Sequence, residues 1–574
     1  MASSSGRSPR HLHRPDGATA AGTSAGTSTG ENLPPGPAVG AGGGDPTHGP
    51  AHDPAGTTRT ARHRAPDDDP AAESLADTAA GVDPAPGPSA GTDELMRAGA
   101  SGAIWLGVAN ILGKVILLAT TVVLARLLAP SEFGLVSLSL VLLVYADAVT
   151  DAGVAQALIY LPRSAAATRA ALLCSIVTGV GLTVGVVLAA PLIAAFFDSP
   201  DVEPLVRLLA FSLLGTSLAA VPDALLRRSL TFNKVTIAAL VRGLVSSGVS
   251  IGLAFAGFGA YALVWGTLAA AAVYVVLVWC IAPEKPDLAF WRTSRADVRE
   301  LMGYGMPVAG STLLAKLVYD VDYLIIGRVL GATALGYYTL AFRLPESLIL
   351  NVFFVLSVVV FPIYAQVRGD MGKLRSGYLF SLRVFALYGV CVGVGLAVTA
   401  QFVVPLAFGD QWDAAVVPLI ALALYCASRS LTGGANEVYK AVGRPGLSLW
   451  LSLARLAVLV PALTVCAQQW GIVGVAWGQF GTSLVFSVVA QVLVARVLDT
   501  RWTVLARQFM PALVAGAAIA VVTLLLTLLP LGQVAGLAVV VLGGVLAAGG
   551  ALAVGYPAVL RELVNVARRR PVTA

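Results

Sequence analysis

The segment LVYDVDYLIIG, residues 317–327, places two carboxylates, Asp320 and Asp322, inside an apolar run. An ionised carboxylate is costly in the hydrocarbon interior of a bilayer, so such a residue faces a bundle interior or a water-filled cavity. On a helix that turns about 100° per residue, these two side chains point roughly 200° apart. The pattern predicts that Asp320 and Asp322 have different surroundings, with Asp322 facing a neighbouring helix.

Other acidic residues lie in similar apolar segments, and each is either an ion-coupling group or one half of a structural ion pair. Asp147 and Asp151 are four residues apart on one helix face, where like charges repel and need external partners. Glu346 follows Arg343 by three residues across Pro345, which predicts a kink and leaves an ion pair or a cavity wall as alternatives. The full acidic set is Asp147, Asp151, Asp320, Asp322, Glu346 and Glu437.

Basic residues also occur inside the apolar segments, where a lone cation needs an anion and a phosphate would serve. Lys114 and Arg242 have no acidic neighbour on their own segments, which favours a cavity that binds an anion. Lys316 precedes Asp320 by four residues on the same helical stripe, so the two form an ion pair or face one cavity.

The remaining charges predict no catalytic or metal chemistry. For Glu437, a position near a helix end, from which the side chain reaches the membrane interface, is an alternative to ion coupling or ion pairing, and Arg455 is interpreted as such a helix-end residue. All five histidines lie in the N-terminal tail, before residue 64, so we expect no metal site and no cofactor. No glycine-rich phosphate loop precedes a Lys-Ser or Lys-Thr pair, which excludes a built-in ATPase. The sequence therefore predicts a protein that is not an enzyme.

Composition identifies the elements that must position these residues. The chain has 574 residues, a mean hydropathy of +0.79 and only 12% charged residues, against about 25% in a soluble protein. The net charge of +6 is too weak to indicate a nucleic-acid partner. Apolar runs of roughly 20 residues match the hydrocarbon thickness of a bilayer, so we predict an all-α polytopic membrane protein.

We count fourteen predicted spans, and the charges between them set the topology. Lys and Arg lie after even-numbered spans, whereas gaps after odd-numbered spans are short and sometimes acidic; Arg126 and Arg328, at outer ends, are exceptions. The positive-inside rule then places both termini in the cytoplasm of a plasma-membrane protein. The predicted spans are residues 99–125, 134–160, 170–196, 204–226, 235–256, 259–281, 302–328, 335–363, 378–404, 414–438, 447–468, 471–495, 509–530 and 534–556.

An internal repeat divides the spans into two groups of six. An offset of 202 matches Lys114 with Lys316, Arg126 with Arg328, and Gly134 with Gly336. A second echo pairs FGAYALVWG (258–266) with WGIVGVAWG (470–478) at an offset of 212. Six spans separate the copies, so the repeat is parallel, as in rocking transporters.

The repeat and the composition together predict the domain organisation. These domains are a tail (1–94), an N-lobe of spans 1–6 (95–282), a cytoplasmic linker (283–300), a C-lobe of spans 7–12 (301–497), spans 13 and 14 (498–560) and a basic cytoplasmic tail (561–574). The first tail is rich in Gly, Pro, Ala, Ser, Thr and Asp, which predicts disorder. It is either dispensable or a docking segment for a cytoplasmic partner, and it is not a cleaved leader.

Several segments resemble one family of membrane proteins. DVDYLIIGRVLGATALGYYTLAFRL (320–344) resembles the span 7–8 signature of polysaccharide flippases: an acidic residue, then IG, LG, LG-Y and A-R. Residues 124–159 resemble the span 1–2 region, and residues 224–235 and 257–266 resemble the span 4–6 segment. The chain is identified over about residues 100–500 as a member of the Wzx/WzxC-like polysaccharide transporters, in the multidrug/oligosaccharidyl-lipid/polysaccharide exporter superfamily.

The resemblance implies two six-helix lobes around a central cavity. It implies a prenyl-diphosphate-linked oligosaccharide as cargo, flipped from the inner to the outer leaflet by alternating access, with membrane lipid and polysaccharide-synthesis enzymes as partners. It also implies ion coupling through Asp320, Asp322 and Asp147, with either a proton or Na⁺. It further implies cationic cavity residues that meet the diphosphate and the sugar acids, and this role is assigned to Lys114, Arg242, Lys316, Arg343 and Arg429.

Three other functions fit parts of the pattern. A drug or cation antiporter of the same superfamily shares the fold, but its acidic cavity disagrees with the mixed-to-basic charges found here. A membrane-embedded glycosyltransferase needs catalytic carboxylates in sizeable outer loops, and the outer gaps here are a few residues long. A scaffold that recruits synthesis enzymes through the N-terminal tail is the third alternative.

Overall fold

The computed structural model describes residues 112–568, apart from 161–163, 230, 283, 284, 286 and 531. Within these residues the chain is helical with short connections and no β-strand, so the predicted all-α fold is confirmed. The predicted N-terminal tail, the start of the first span and the end of the basic C-terminal tail lie outside the described residues.

The helices follow one another with few intervening residues. In chain order they are α1 (112–127), α2 (Pro130–Tyr160), α3 (Ala165–Phe196), α4 (Val202–Arg228), α5 (Phe232–Phe255), α6 (Ala260–Ile281), α7 (Arg295–Pro345), α8 (Asn351–Gln366), α9 (Met371–Phe408), α10 (Val416–Ser430), α11 (Ala435–Ala441), α12 (Pro445–Val497), α13 (Trp502–Thr527), α14 (Gln533–Gly555) and α15 (Pro557–Arg568). Short 3₁₀ turns occupy Phe290–Arg292 and Asp410–Ala415, and a π-helical turn, Glu346–Leu350, joins α7 to α8.

Eleven helical segments of the described chain are long and apolar enough to cross a bilayer. Two of the helices above contain one glycine with non-helical dihedrals: Gly331 in α7 (φ 80°, ψ −177°) and Gly471 in α12 (φ 61°, ψ −148°). Each glycine breaks its helix into two segments, because a positive φ is readily available only to glycine. The predicted total of fourteen spans stays a prediction.

The internal repeat is visible in the backbone. Gly259, immediately before α6, has φ 54° and ψ −135°, close to the φ 61° and ψ −148° of Gly471. The predicted offset of 212 relates these two residues. The repeat at an offset of 212 therefore corresponds to one type of turn that occurs once in each half of the chain.

The two halves meet along α2 and α7, which pack against each other. A Cβ on Gly134 would overlap the Ala332 carbonyl group, and a Cβ on Gly336 would overlap the Pro130 carbonyl oxygen. The offset of 202 that relates Gly134 to Gly336 also relates Pro130 to Ala332. The contact is therefore reciprocal, as between two copies related by a two-fold axis.

Two arginines at the same end of the molecule are also related by the repeat. Arg126 Nε donates to the Ala407 carbonyl oxygen at 3.0 Å, near the C-terminus of α9, and its Nη2 donates to the Leu406 carbonyl. Its repeat mate, Arg328, lies over the Phe196 ring at 5.8 Å, at the C-terminus of α3. Cations are favourable there because a helix C-terminus carries partial negative charge. Arg126 and Arg328, the two exceptions to the positive-inside pattern, therefore each have a local partner.

At the opposite end, α2 and α7 are again in close contact. A Cβ on Gly305 would lie 2.6 Å from the Gly153 carbonyl oxygen. The Tyr160 and Tyr304 rings stack with centroids 4.4 Å apart. In lipid, where burial from water adds little between helices, such close backbone packing is a main source of helix association.

The last helices attach to the second half. α13 packs on α9, and α14 packs on both. Arg383 Nη1 on α9 forms a 2.7 Å ion pair with Glu562 Oε2 on α15. The first residues of the predicted basic tail are thus helical and tied to the bundle.

Replacement of Gly134 by alanine should destabilise the protein, because the new methyl group meets backbone atoms that cannot rotate away. Overpacking of this kind costs about 1–3 kcal/mol. Thermal unfolding of the full chain in detergent measures the effect. The matched control is Gly181→Ala on α3, where a Cβ meets nothing within 4 Å. Equal melting temperatures for the two variants would contradict the reciprocal contact.

Candidate functional site

In the described part of the chain, three cavities collect most of the charged residues predicted from the sequence. One lies between the two halves, one within the first half and one within the second. The first and third lie on different faces of the same part of α7: Asp320 lines the first, and the preceding Tyr319 lines the third.

The inter-lobe cavity has a volume of about 340 Å³ and is bounded by α1, α2, α6, α7 and the π-helical turn. Its charged residues are Asp320, Arg343 and Glu346. Arg343 Nη1 and Glu346 Oε2 are 3.9 Å apart, and each side chain is 37% exposed. An ion pair this long and open contributes about 0–1 kcal/mol, so both charges remain able to bind a ligand.

The kink predicted at Pro345 takes a definite form. The π-helical turn Glu346–Leu350 follows this proline directly and places Glu346 at the cavity wall. π-Helical turns occur frequently at functional sites. The wider turn thus brings Glu346 and Arg343 to the same surface.

The two aspartates of α7 have different surroundings, as the helical spacing predicts. Asp320 is half-buried at the inter-lobe cavity. Asp322 is only 3% exposed. The Tyr338 hydroxyl donates to its Oδ2 at 2.6 Å, and the Tyr323 N–H donates to its Oδ1 at 3.1 Å. The Gln479 side chain of α12 also bonds to this carboxylate. Asp322 therefore joins helices of the second half.

The predicted pairing of Lys316 with Asp320 is not a close ion pair. Among the described residues, no bridge within 4.0 Å joins them, although Lys316 acts electrostatically on Asp320. Lys316 and Lys114 are half-buried and lie outside the linings of the three cavities. The five predicted cations are thus distributed over the molecule and do not share one cavity.

The cavity of the first half is the smallest, at about 110 Å³. Arg242 lies over the Tyr274 ring at 5.2 Å, and the Tyr274 hydroxyl donates to Asp223 Oδ1 at 2.8 Å. Asp147 lines the same cavity, and its Oδ1 is buried without a hydrogen-bond partner among the described atoms. Asp147 and Arg242 therefore belong to one polar cluster. Asp151 lies on the same helix, but its side chain is outside the described residues.

The C-lobe cavity is the largest of the three, at about 520 Å³, and is enclosed by α7, α10, α11 and α12. Three cations line it: Arg429, Lys440 and Arg455. No carboxylate belongs to this lining. Glu437, half-buried on α11, is near enough to act electrostatically on Tyr319. Neutral hydrogen-bonding groups in the wall come from Ser311, Thr432, Asn436, Ser448 and Ser452.

The two arginines of the C-lobe cavity are held by tyrosines. Arg429 Nη2 donates to the Tyr319 hydroxyl at 2.8 Å, with the guanidinium 4.9 Å from the ring centroid. Arg455 Nη2 donates to the Tyr425 hydroxyl at 3.4 Å. Arg455 is 8% exposed, and its Nε has no hydrogen-bond partner in the described chain. The prediction that Arg455 lies at a helix end and reaches the membrane interface is therefore wrong, because Arg455 is buried at a cavity wall.

Asp223, Tyr319 and Lys440 are among the residues of these cavities that were not predicted as site residues. Asp223 lies within predicted span 204–226, so its charge carried the same signal as Asp147. The sequence places Lys440 after an even-numbered span, where it served only as a loop charge that sets the membrane orientation. No sequence signal distinguishes Tyr319 from other tyrosines in apolar segments, because its role depends on the position of Arg429 on another helix.

Polar cavities inside and between the two repeat-related halves of a helical membrane chain are typical of transport proteins. A family model described as "Polysaccharide biosynthesis protein" matches residues 123–417, about half of the chain, and the chain belongs to this family. The predicted family resemblance is thereby confirmed.

Curated relatives agree with the family assignment. The chain is 26% identical over 383 residues to lipopolysaccharide biosynthesis protein WzxC of Escherichia coli (strain K12), covering 66% of this chain and 77% of the relative. It is 26% identical over 399 residues to teichuronic acid biosynthesis protein TuaB of Bacillus subtilis (strain 168), covering 69% and 82%.

Solved structures share the fold. The lipid II flippase MurJ, in an inward closed conformation, superposes with a TM-score of 0.66 at 13% identity, covering 80% of this chain and 100% of MurJ. An inward-facing multidrug resistance MATE family transporter of the MOP superfamily gives 0.55 at 17% identity, covering 69% and 98%. At these identities the similarity establishes the fold only.

Replacement of Tyr338 by phenylalanine should destabilise the chain, because it leaves the buried Asp322 carboxylate without its shortest hydrogen bond. A loss of this kind costs about 1–3 kcal/mol. Thermal unfolding in detergent measures it. Tyr261→Phe, at a 37% exposed tyrosine, is the control and should leave the melting temperature unchanged. A Tyr338→Phe variant as stable as the control would exclude a structural role for this contact.

Proposed function

We propose that the protein is a flippase that moves a prenyl-diphosphate-linked oligosaccharide from the inner to the outer leaflet of a bacterial plasma membrane by alternating access. The observation that carries the proposal is the charged cavity between two repeat-related halves, with a reciprocal backbone contact at one end. An anionic head group can bind between the halves, whereas its prenyl chain stays in lipid.

The reciprocal contact supports a rocking motion. Gly134 and Gly336 meet backbone atoms of the opposite half without any interlocking side chain at those positions. Such a surface can separate without rotamer changes in the contact itself. In the proposed orientation, with both termini cytoplasmic, this contact closes the outer end. The contact between Gly153 and Gly305 closes the inner end. Rocking of the two halves about an axis in the membrane plane would separate one of these contacts while the other holds, which exposes the cavity to each leaflet in turn.

The cargo follows from the relatives and from the charges. WzxC and TuaB are by name lipopolysaccharide and teichuronic acid biosynthesis proteins, and MurJ is by name a lipid II flippase. In this chain, Arg343 faces the inter-lobe cavity and is held only weakly by Glu346. Its planar guanidinium suits a diphosphate, whose oxygens accept paired hydrogen bonds. Lys114, Lys316 and Arg242 are proposed to add positive charge along the path.

The acidic residues have separate proposed roles. Asp320 faces the inter-lobe cavity and can change charge as water enters, so we assign ion coupling to it. Asp147 is a second candidate, since one of its oxygens is buried without a partner. Asp322 is hydrogen-bonded in the second half and is assigned a structural role, although its charge made it a coupling candidate. Glu346 and Glu437 act as counter-charges to nearby cations.

The competing function is export of cationic drugs by the same fold. It requires a cavity in which acids dominate. The inter-lobe cavity contains two acids and one arginine, which alone does not exclude a cation. The C-lobe cavity contains three cations and no acid in its lining, which favours anionic cargo. Acceleration of a cationic dye and not of a prenyl-diphosphate sugar would favour the antiporter.

Liposomes containing the purified full chain should exchange a prenyl-diphosphate-linked oligosaccharide between leaflets faster than empty vesicles do. Arg343→Gln should reduce the rate by about tenfold to a hundredfold, since loss of one charge-assisted hydrogen bond to a phosphate costs about 1.5–3 kcal/mol. Accessibility of the sugar to an external lectin measures the exchange.

The matched control for this experiment is Arg496→Gln, at an exposed arginine near the end of α12. It should exchange cargo at the wild-type rate. Absence of exchange by the wild-type chain across several prenyl-diphosphate glycans would overturn the proposed function. Equal loss in Arg343→Gln and Arg496→Gln would remove Arg343 from the binding path.

Asp320→Asn should make the exchange rate insensitive to an imposed proton or Na⁺ gradient, because the side chain can no longer change charge. Asp322→Asn should retain the gradient dependence and lower the melting temperature. Liposome exchange with and without each gradient, together with thermal unfolding, separates the two. Wild-type gradient dependence in the Asp320→Asn protein would end the coupling assignment.

A further inference from the structure

Two helix ends from opposite halves of the chain meet beside the reciprocal contact of Gly134 and Gly336. The last four carbonyl groups of an α-helix have no partner within the helix and need donors from outside. At the end of α9, in the second half, Arg126 of α1 donates to such carbonyls. At the end of α1, in the first half, the 3₁₀ turn Asp410–Ala415 that follows α9 supplies the donors. The two helix ends therefore cap each other across the boundary between the halves.

Trp412 is the central residue of this capping contact. Its side chain is fully buried, and its Nε1 donates to the Ala125 carbonyl oxygen at 2.8 Å. The neighbouring Gln411 donates to the same oxygen at 2.7 Å. The Trp412 ring also packs edge-on against Phe133 of α2, with centroids 5.4 Å apart, and against Tyr337 of α7 at 5.7 Å. One side chain of the second half thus contacts both α1 and α2 of the first half.

Trp412 also lies next to the inter-lobe cavity. Phe133, which its ring contacts, is part of the cavity lining, and Gly134 follows Phe133 directly. Because the indole belongs to the second half and is buried against the first, the halves cannot separate at this end while its contacts persist. Displacement of Trp412 would therefore accompany any opening of the cavity toward the outer end.

The repeat-related position on the other side carries a different aromatic residue. The offset of 202 relates Ala125 to Gly327. A Cβ on Gly327 would lie 3.0 Å from Cε1 of Phe197, a buried residue that follows α3. Phenylalanine offers only apolar contact, whereas tryptophan has a donor in its indole N–H. Hydrogen bonding by the aromatic residue is therefore confined to one side of the outer end.

We infer that Trp412 is a positioning residue of the flippase cycle: its indole N–H, with Gln411 and Arg126, holds the outer end closed while cargo enters from the inner leaflet. Outward opening then requires the hydrogen bonds to the Ala125 carbonyl to break. Water replaces the lost donors only once the halves have separated, so these bonds favour the outer-closed state. The inference rests on the proposed rocking of the two halves and deepens it, because it names the residues that set the balance between the two states.

The test measures how readily the inter-lobe cavity opens to each side of the membrane. Ser137 lines this cavity, and Ser137→Cys introduces a thiol on a side chain of similar size. A membrane-impermeant maleimide added to intact bacterial cells that express the full chain reaches this thiol only through the outer end. The same reagent added to inside-out membrane vesicles reaches it only through the inner end. The chain without Ser137→Cys gives the background from the five native cysteines.

Trp412→Phe, combined with Ser137→Cys, keeps an aromatic ring against Phe133 and Tyr337 but removes the N–H donor. Labelling of intact cells should become about two- to tenfold faster, as expected for the loss of one hydrogen bond that favours the closed state. Labelling of inside-out vesicles should not become faster. Gln411→Ala, at an exposed residue, should act in the same direction, and it tests the inference even if Trp412→Phe does not fold.

The matched control is Trp477→Phe, at a 43% exposed tryptophan of α12, which should leave both labelling rates unchanged. Unchanged labelling of intact cells in both the Trp412→Phe and the Gln411→Ala proteins would overturn the inference. Faster labelling from both sides would overturn it too, because Trp412 would then stabilise the fold and not one state of it. Failure to flip any prenyl-diphosphate glycan would instead overturn the proposed function, and the labelling, which needs no cargo, would still decide the inference on Trp412.

Discussion

The arrangement of the two halves depends on close backbone contact at positions that cannot accept a side chain. Gly134 meets Ala332 and Gly336 meets Pro130, so α2 and α7 approach more closely than larger residues would permit. In a membrane, shape complementarity of this kind substitutes for much of the hydrophobic driving force of soluble proteins. Every wall of the inter-lobe cavity supplied by α2 and α7 is positioned by this contact.

Charge in the membrane region is arranged around that packing. The acid of α7 that is fully buried, Asp322, has donors from Tyr338, Tyr323 and Gln479. Asp320, two residues earlier, faces a cavity instead. Because burial of a charge is tolerated only with partners or water, the two positions satisfy the same constraint in different ways. In the C-lobe cavity, Arg429 and Arg455 have tyrosine hydroxyls as partners, and Lys440 is exposed.

Hydropathy and periodicity predict the helices well, because a span must satisfy its backbone internally whatever its neighbours are. The internal repeat could also be predicted from the sequence, since Gly259 and Gly471 are both retained where the chain makes the same turn with a positive φ. The opposite directions of Asp320 and Asp322 followed from helix geometry alone. Which residues line the same cavity could not be predicted from the sequence, because it depends on the rotation and tilt of separate helices. Arg429 and Arg455 lie on different helices but line the same cavity. Lys316 forms no close ion pair with Asp320, although the two are four residues apart on one helix.

The reciprocal contact has a further consequence for how this molecule can change. Two copies of one patch, joined about a two-fold axis, are the geometry of a symmetric dimer. In such a dimer every substitution occurs twice, and an acid at the axis would face its own copy. Fusion of the halves into one chain removes that restriction. Asp320 has Leu118 as its repeat mate and Asp322 has Thr120, so one half carries these charges while the other has neutral residues at the equivalent positions.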